Sequence, residues 1–207
     1  MSSRKYFDEV AQDWDGMRQS FFSEAVREKA ISVAKVKQGR VAADIGAGTG
    51  FITEALLQRG LKVIAVDQSE AMIRKMKSKF KDQHAIDFRV GEADNLPIED
   101  RSLDYVFANM LLHHVREPPD AVHEMTRVLK PNGMLVITDL DEHRFEFLRK
   151  EHHDRWMGFK REDVKRWLTG AELKDVQVDC VGEDCCATPS CGKDYASVSI
   201  FVASGRK

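Results

Sequence analysis

The chain lacks the features that mark several classes of protein. Its 207 residues include four cysteines, none before position 180, and this number does not suggest a disulfide scaffold. It has no run of 18 apolar residues, so no membrane span is predicted. A formal net charge of -2 leaves no global basic field that would favour nucleic acid. The first residues are charged rather than an apolar signal segment, and we expect a cytoplasmic protein.

What is present indicates one α/β domain over residues 1–207. Hydrophobic residues make up 43% of the chain and charged residues 32%, an ordinary globular composition. Strands are predicted at 41–45, 62–66, 86–90, 103–108, 133–139, 174–180 and 196–203. Helices are predicted at 50–59, 69–80, 117–129, 143–157 and 160–169. This alternation predicts a mostly parallel sheet with helices on both faces.

Residues 1–38 precede the first strand and are predicted to be helical. Two apolar stripes follow helical spacing: Phe7, Val10, Ala11 and Trp14, and then Phe21, Phe22, Ala25, Val26 and Ala30. We expect this segment to pack on the core or over a ligand cleft.

The most informative motif is the run from Asp44 to Gly50, Asp-Ile-Gly-Ala-Gly-Thr-Gly. It follows an apolar strand and leads into a predicted helix. Glycines permit a tight turn and a close ligand approach, and a helix N-terminus offers unpaired N–H donors. The motif therefore predicts a nucleotide-binding corner between strand and helix.

A second acid separates two kinds of cofactor. Asp67 ends the next strand, 23 residues after Asp44, and is placed to accept hydrogen bonds from ribose hydroxyls. The spacing G-x-G-x-G differs from the G-x-G-x-x-G of dinucleotide sites, and Asp44 would repel a pyrophosphate. A carboxylate there can pair, usually through water, with an ammonium group. S-adenosylmethionine (SAM) has that ammonium, has ribose hydroxyls and has no phosphate, so SAM is favoured over NAD.

The chain resembles the class I SAM-dependent methyltransferases, especially the small-molecule group related to quinone-biosynthesis enzymes. The segments that carry the resemblance are Asp44–Gly50, Val66–Ser69, Gly91–Pro97, Asn109–His114 and Glu124–Gly133. It covers nearly all of residues 4–203. The resemblance implies a Rossmann-like, doubly wound sheet of seven strands with the last one antiparallel, and an N-terminal helical lid. It divides the chain into that lid (1–38), a SAM-binding half (41–140) and a substrate-side half (141–207).

The resemblance also implies roles for individual residues. Gly46 and Gly48, with Ala47 between them, would line the methionine part of SAM. Asp67, followed by Gln68, would bind the ribose, and Asp94, beside Ala93, would accept from the adenine amino group. Asn109 and Met110 would lie near the methionine carboxylate and the sulfonium. The lid makes Tyr6, Trp14 and Arg18 candidates for contact with cofactor or substrate.

Candidates for chemistry lie in two histidine pairs. His113 and His114 follow Asn109 at the predicted mouth of the cleft and are possible general bases; alternatively they are scaffold. His153, next to His152, and Trp156 follow the fifth strand, where substrate-facing elements usually occur; alternatively they form a helix surface and core. Methyl transfer needs mainly alignment of nucleophile and methyl group, so the sequence need not contain an obvious base.

All four cysteines fall within twelve positions: Cys180, Cys185, Cys186 and Cys191. One interpretation is a thiolate site for a soft metal or metalloid, as in arsenite methyltransferases of this fold, whose cysteines are spread along the chain. The other is a hairpin loop with incidental thiols and Cys180 as a small core residue. The spacing lacks the C-x2-C of zinc sites, and we assign no metal.

The sequence therefore predicts an enzyme that transfers a methyl group from SAM to a small-molecule acceptor. Two alternatives stay open: a thiol or metalloid methyltransferase that uses Cys185, Cys186 and Cys191, and a SAM-binding protein without catalysis. We expect no nucleic-acid or membrane partner, and a monomer or homodimer.

Overall fold

The computed structural model describes residues 3–189 and 195–207. Its strands are β1 (Val41–Ile45), β2 (Lys62–Asp67), β3 (Ile86–Val90), β4 (Leu103–Asn109), β5 (Leu129–Leu140), β6 (Lys174–Ala187) and β7 (Ala196–Arg206). Its helices are α1 (Ser3–Val10), α2 (Trp14–Phe21), α3 (Ala25–Ala34), α4 (Phe51–Gln58), α5 (Glu70–Lys79), α6 (Pro118–Val128), α7 (Glu146–Glu151) and α8 (Arg161–Gly170). A 3-10 turn spans Leu112–His114.

The seven strands form one sheet in the order β3-β2-β1-β4-β5-β7-β6. The pairs among β1 to β5 are parallel, whereas β7 is antiparallel to both β5 and β6. The predicted doubly wound sheet with an antiparallel last strand is confirmed. The order reverses at β1, so the carboxyl ends of β1 and β4 flank the crevice where ligands bind in such sheets.

Apolar residues cover both faces of the sheet. Neighbouring residues of a strand point to opposite faces, so Ala42 packs with the core beneath α3 and α4 and Ala43 with the core beneath α6 and α8. Both alanines are fully buried. A strand buried on both faces reads as a mainly apolar run, as β1 does here apart from Asp44.

Two local details follow from residue type. Ser69 caps α5, because its hydroxyl accepts a hydrogen bond from the Met72 N–H at 3.1 Å. Asn132 adopts a left-handed φ of 66°, which asparagine tolerates.

The described part of residues 1–38 is helical as predicted, but it forms three separate helices. The first apolar stripe crosses a turn, closed where Asp13 N–H donates to the Val10 carbonyl, so α1 and α2 are separate helices. α3 then begins only at Ala25. Residues of α1 and α2 line the crevice above the sheet, as expected of a lid.

Two predictions beyond residue 140 were wrong in extent. The helix predicted at 143–157 is limited to Glu146–Glu151. His153 has a left-handed φ of 58°, and the Arg155 and Trp156 N–H groups donate to the His113 carbonyl, so this stretch follows a loop.

The predicted cysteine loop is also largely a strand. β6 continues to Ala187 because its backbone pairs with β7 as far as Ala196. Cys185 and Cys186 therefore belong to the sheet, and Cys180 is exposed rather than part of the core. Cys191 lies outside the described residues. Among the described residues, none of the helices is long and apolar enough to cross a membrane.

Candidate active site

The glycine motif forms a tight turn at the carboxyl end of β1. The N–H groups of Gly46 and Ala47 both donate to the Val66 carbonyl, at 2.9 and 3.0 Å. Gly46 has a φ of 67°, and a Cβ on it would lie 2.6 Å from the Leu111 side chain. Gly46 must therefore be glycine, because both its backbone conformation and its surroundings exclude a side chain.

Asp67 is bound to the same turn. Its Oδ2 accepts from the Gly48 N–H and its Oδ1 from the Ser69 N–H, each at 2.8 Å. Burial raises the pKa of Asp67 to about 6, although these backbone donors oppose the shift. The carboxylate lies at the end of β2, and the residue also lines the large cavity described below.

Asp44 lies under the turn and is not part of the cavity wall. Its Oδ2 accepts from the Thr53 N–H at 2.9 Å and from the Thr53 hydroxyl at 2.7 Å. Burial raises the pKa of this carboxyl also to about 6. Asp44 thus holds the first turn of α4 against β1, whereas the sequence suggested a water-mediated contact with an ammonium group.

A cavity of about 450 Å³ opens above the glycine turn. Ten of the twelve residues predicted to bind the cofactor line it: Arg18, Gly46, Ala47, Gly48, Asp67, Gln68, Ala93, Asp94, Asn109 and Met110. Asp44 and Tyr6 do not. The volume lies within the range of cofactor sites. Four strand ends and the lid converge here, so one cleft contains polar groups from distant parts of the sequence.

Arg18 contributes a buried positive charge to this cavity. The residue is 7% exposed, its guanidinium lies 4.1 Å from the centre of the Phe51 ring, and it donates to the Phe22 carbonyl at 3.4 Å. Burial lowers its pKa. Asp15, Glu24 and Glu54 act on it only at longer range, since no ion pair within 4.0 Å is found for it among the described residues, and a buried cation without a close partner is costly. The cavity is therefore suited to an anionic group near Arg18.

The end of β4 is held in a strained conformation. Met110 has a φ of 52°, and its N–H donates to the Thr138 carbonyl at 2.8 Å. The Thr138 hydroxyl in turn donates to the Asn109 side chain at 2.7 Å. Left-handed backbone at a residue other than glycine often marks functional sites.

A second cavity, of about 60 Å³, adjoins the first. The two share wall residues, namely Phe7, Trp14, Phe22, Met110 and His114. The smaller cavity is mainly apolar, and its ionisable residues are Tyr6, His113, His114, His152, Asp154 and Cys185. The Tyr6 hydroxyl lies 3.3 Å from His152 Nδ1, so Tyr6 faces this cavity and not the one assigned to the cofactor.

His113 is bound to a buried carboxylate. Its Nδ1 lies 2.6 Å from Asp139 Oδ1, while Asp139 also accepts from the Leu112 N–H at 2.8 Å. Burial alone would lower the pKa of His113, but Asp139 and Asp154 outweigh it and raise that pKa to about 9. The two carboxylates therefore favour the imidazolium form of His113.

His114 has the opposite character. Burial, followed by the charge of His113, lowers its pKa well below the usual value. Its Nδ1 is buried and has no hydrogen-bond partner among the described residues. The two adjacent histidines are thus driven to different protonation states, a pattern typical of acid–base sites.

The residues predicted on the substrate side are not all brought together. Trp14 lines both cavities and Cys185 the smaller one. His153 packs against Tyr6, with ring centres 5.1 Å apart, but lines neither cavity. Trp156 is 42% exposed and donates to the Val115 carbonyl, so it is a surface residue. Cys186 is on neither cavity wall, because it follows Cys185 on a strand and its side chain points to the other face.

Sequence reasoning missed Asp139 and Asp154, whereas His152 was named in the second histidine pair. Asp139 lies one residue before the end of β5, so the rule that drew attention to Asp67 would also have found it. Asp154 lies on a loop, and no sequence pattern predicts its position.

Comparisons with known proteins agree with this geometry. Residues 43–137 match the family model described as "Methyltransferase domain". A malonyl-[acyl-carrier protein] O-methyltransferase of Marinomonas sp. (strain MWYL1) is 29% identical over 174 residues, covering 83% of this chain and 62% of the relative. A demethylmenaquinone methyltransferase of Paenarthrobacter aurescens (strain TC1) is 36% identical over 136 residues, covering 64% of this chain and 53% of the relative.

The fold is also similar to that of Haemonchus contortus phosphoethanolamine N-methyltransferase 2, solved with phosphomonomethylethanolamine and S-adenosylhomocysteine. The TM-score is 0.79 at 18% identity, covering 100% of this chain and 60% of that one. The chain thus spans 53–62% of the length of these three proteins. By its matching domain over residues 43–137 and by its relatives, the chain resembles the class I SAM-dependent methyltransferases, whose cofactor is S-adenosylmethionine.

Proposed function

We propose that this protein transfers a methyl group from SAM to a small-molecule acceptor, with SAM in the larger cavity and the acceptor in the smaller one. One observation carries the proposal: the two cavities share a wall at Met110 and His114. A methyl donor on one side and a nucleophile on the other could then meet in line.

The residues of the larger cavity fit SAM in charge and shape. Asp67 supplies a carboxylate for the ribose hydroxyls, and Asp94 supplies one for the adenine amino group. The buried cation of Arg18 suits the carboxylate of the methionine part. The left-handed glycines Gly46 and Gly48 leave room for close approach, since they carry no Cβ.

SAM supplies an activated methyl group whose leaving group is neutral. The protein then has to align the acceptor, exclude water and accept a proton if the acceptor keeps one. His114 is the candidate base, because its Nδ1 is buried and without a partner among the described residues, and its lowered pKa favours the neutral imidazole. His113, held as an imidazolium by Asp139, would stabilise negative charge that develops on the acceptor.

The size and lining of the smaller cavity favour a compact, mainly apolar acceptor group with one ionisable atom. The named relatives act on very different acceptors, so their substrates do not identify this one. The metalloid alternative stays a prediction, with Cys185 as its one cysteine on a cavity wall among the described residues. Burial raises the pKa of the Cys185 thiol to about 12, which disfavours a free thiolate there.

The test measures methyl transfer from SAM to added acceptors. Purified protein would be incubated with methyl-labelled SAM and a panel of phenols, quinols, amines, thiols and arsenite, and labelled product and S-adenosylhomocysteine would be measured. We expect His114→Gln to lower kcat by roughly 10²- to 10⁴-fold, the typical contribution of a general base. SAM affinity is titrated separately in this variant, because His114 also lines the larger cavity. The matched control His84→Gln changes an exposed histidine.

The outcomes separate the alternatives. Turnover of any acceptor excludes a SAM-binding protein without catalysis. Arsenite-dependent turnover that is lost in Cys185→Ser or Cys191→Ser would support the metalloid alternative. Failure to bind SAM would overturn the proposal altogether. The oligomeric state, monomer or homodimer, stays a prediction that sedimentation of the same sample can test.

A further inference from the structure

Three side chains in the smaller cavity face one another across a gap of the size of an ion. Asp154 Oδ1 lies 3.9 Å from His113 Nε2 and 3.8 Å from His114 Nδ1. One possible ligand atom from each residue lies within 4.8 Å of the others. These separations are too long for hydrogen bonds. The side chains are nevertheless buried: His113 is 6% exposed, His114 9% and Asp154 4%. Water therefore does not fully replace the missing contacts.

The buried nitrogen of His114 is the second observation. Its Nδ1 has no hydrogen-bond partner among the described residues. Buried polar atoms without a partner are rare, and each calls for an explanation such as a bound ion. This nitrogen faces the Asp154 carboxylate, so a cation between the two would satisfy both groups.

The orientation of His113 is the third observation. Asp139 accepts from its Nδ1 at 2.6 Å, which leaves Nε2 directed at the gap. Asp139 is itself held by the Leu112 N–H. Histidines that ligate metals almost always donate their other ring N–H to such a carboxylate or carbonyl, which fixes the ring and the tautomer.

We propose that His113 Nε2, His114 Nδ1 and Asp154 bind a divalent transition-metal ion. Two imidazoles and one carboxylate suit zinc and its first-row neighbours, whereas magnesium and calcium prefer oxygen ligands throughout. Tetrahedral zinc with bonds of about 2.0–2.2 Å separates its ligands by roughly 3.3–3.6 Å. The two distances to Asp154 would have to close by about 0.2–0.6 Å, and the two histidine nitrogens, which lie within 4.8 Å of each other, would have to approach to the same range. The sequence suggests a metal only at the cysteines, where none is assigned; the two parts of this site are about 40 residues apart and have no recognisable spacing.

The site leaves one coordination position open towards the smaller cavity. If the proposed function is correct, the acceptor's oxygen, nitrogen or sulfur would occupy that position. Coordination lowers the pKa of such a group, as it does for water bound to zinc. The lone pair of His114 Nδ1 is then used in binding, so the acceptor's proton would pass to solvent instead of to His114. The proton that the imidazolium of His113 carries on Nε2 would be released to solvent when the ion binds. The role of the ion depends on the proposed function, but its binding does not.

The test is cation binding to chelator-treated protein. Zinc would be titrated by calorimetry, and cobalt(II) would be followed by its visible absorption, which is stronger in four-coordinate than in six-coordinate sites. We expect one ion per chain, loss of binding in His114→Gln and Asp154→Asn, and roughly 10- to 100-fold weaker binding in Asp139→Asn, the usual effect of losing an outer-shell carboxylate. His123→Gln, an exposed histidine on α6, is the matched control and should bind as the wild type does.

Thermal unfolding distinguishes the loss of a metal-binding side chain from the loss of the folded structure. Asp154→Asn removes a carboxylate that stabilises the charge on His113, so the Tm of this variant with chelator is its own baseline for the effect of zinc. Zinc should raise the Tm of the wild type and His123→Gln but not that of Asp154→Asn, because only a binding protein is stabilised by mass action. Stoichiometric binding that survives both ligand substitutions would overturn the proposal, as would a wild-type protein that binds neither ion. SAM binding measured in the same chelated samples tests the proposed function independently.

Discussion

The N–H of Gly48 donates to Asp67 Oδ2 at 2.8 Å. This bond joins the two halves of the cofactor motif, 19 residues apart, before any ligand is considered. The glycine turn at the end of β1 and the acid at the end of β2 therefore form one unit, and a change in either residue affects the position of the other.

Asp67→Ala tests the proposed ribose contact. We expect SAM affinity to fall at least tenfold, because a hydrogen bond to a charged group contributes about 1.5–3 kcal/mol and the turn also loses its anchor. Calorimetric titration with SAM measures the change. The control Asp87→Ala removes an exposed carboxylate at the sheet edge that pairs with Arg89. An unchanged dissociation constant in Asp67→Ala would contradict the site assignment.

The pH dependence of SAM binding follows from the same residue. Burial raises the pKa of Asp67 to about 6, so its carboxyl gains a proton as the pH falls below that value. A protonated carboxyl accepts hydrogen bonds less well, and we expect affinity to fall up to tenfold per pH unit below about pH 6. Titrations between pH 5 and 7.5 check this. Asp67→Asn should give a flatter profile, and an equally steep one would assign the dependence to another group.

The stability of the protein without cofactor should depend on pH in the opposite sense. The folded-state pKa of Asp67, about 6, exceeds the ordinary value of 3.8, so the folded state binds the proton more tightly. The stabilisation is present below about pH 4 and is lost as the pH rises through about 6. Relative to Asp67→Asn, the free energy of unfolding should fall by on the order of 3 kcal/mol over this range. Urea unfolding of both proteins measures the difference, which a constant offset would contradict.

Gly46→Ala tests the backbone of the turn. The left-handed φ costs a residue with a Cβ roughly 1–2 kcal/mol, and the Leu111 side chain must also move. We expect a lower free energy of unfolding and weaker SAM binding. The matched control is Gly16→Ala in α2, where nothing lies within 4 Å of the added Cβ and φ is not left-handed. Alanine there should stabilise the protein by about 0.5–1 kcal/mol, so equal effects of the two changes would be inconsistent with this account.

Arg18→Gln tests whether the buried cation binds the carboxylate of SAM. S-adenosylhomocysteine carries that carboxylate, whereas 5′-methylthioadenosine lacks the amino-acid group. We expect roughly 10- to 150-fold weaker binding of the first and little change for the second, since only one ligand has the charge-assisted contact. Arg74→Gln, a surface arginine in α5 with 70% exposure, is the control. Equal losses for both ligands would indicate a role in lid packing instead.

The local chemistry of the cofactor site could be predicted from the sequence, because its residues follow strand ends. Gly46, Gly48, Asp67 and Asn109 each come directly after or at the end of a strand, and parallel strands bring their carboxyl ends to one edge. The glycine spacing, the antiparallel last strand and the cap at Ser69 depend on short-range rules or on a family pattern. The role of Asp44 did not follow, because only the packed structure shows that Thr53 takes up its carboxylate.

The sequence by itself determined the fold and the cofactor class, since these depend on periodicity and on motifs a few residues long. Tertiary structure alone decided the composition of the smaller cavity. Asp139 and Asp154 reach His113 and His114 from β5 and from the loop after α7, and the resulting burial and charge shift the pKa values of the two histidines in opposite directions. Electrostatic coupling of this kind depends on distance and desolvation, which no spacing along the chain encodes.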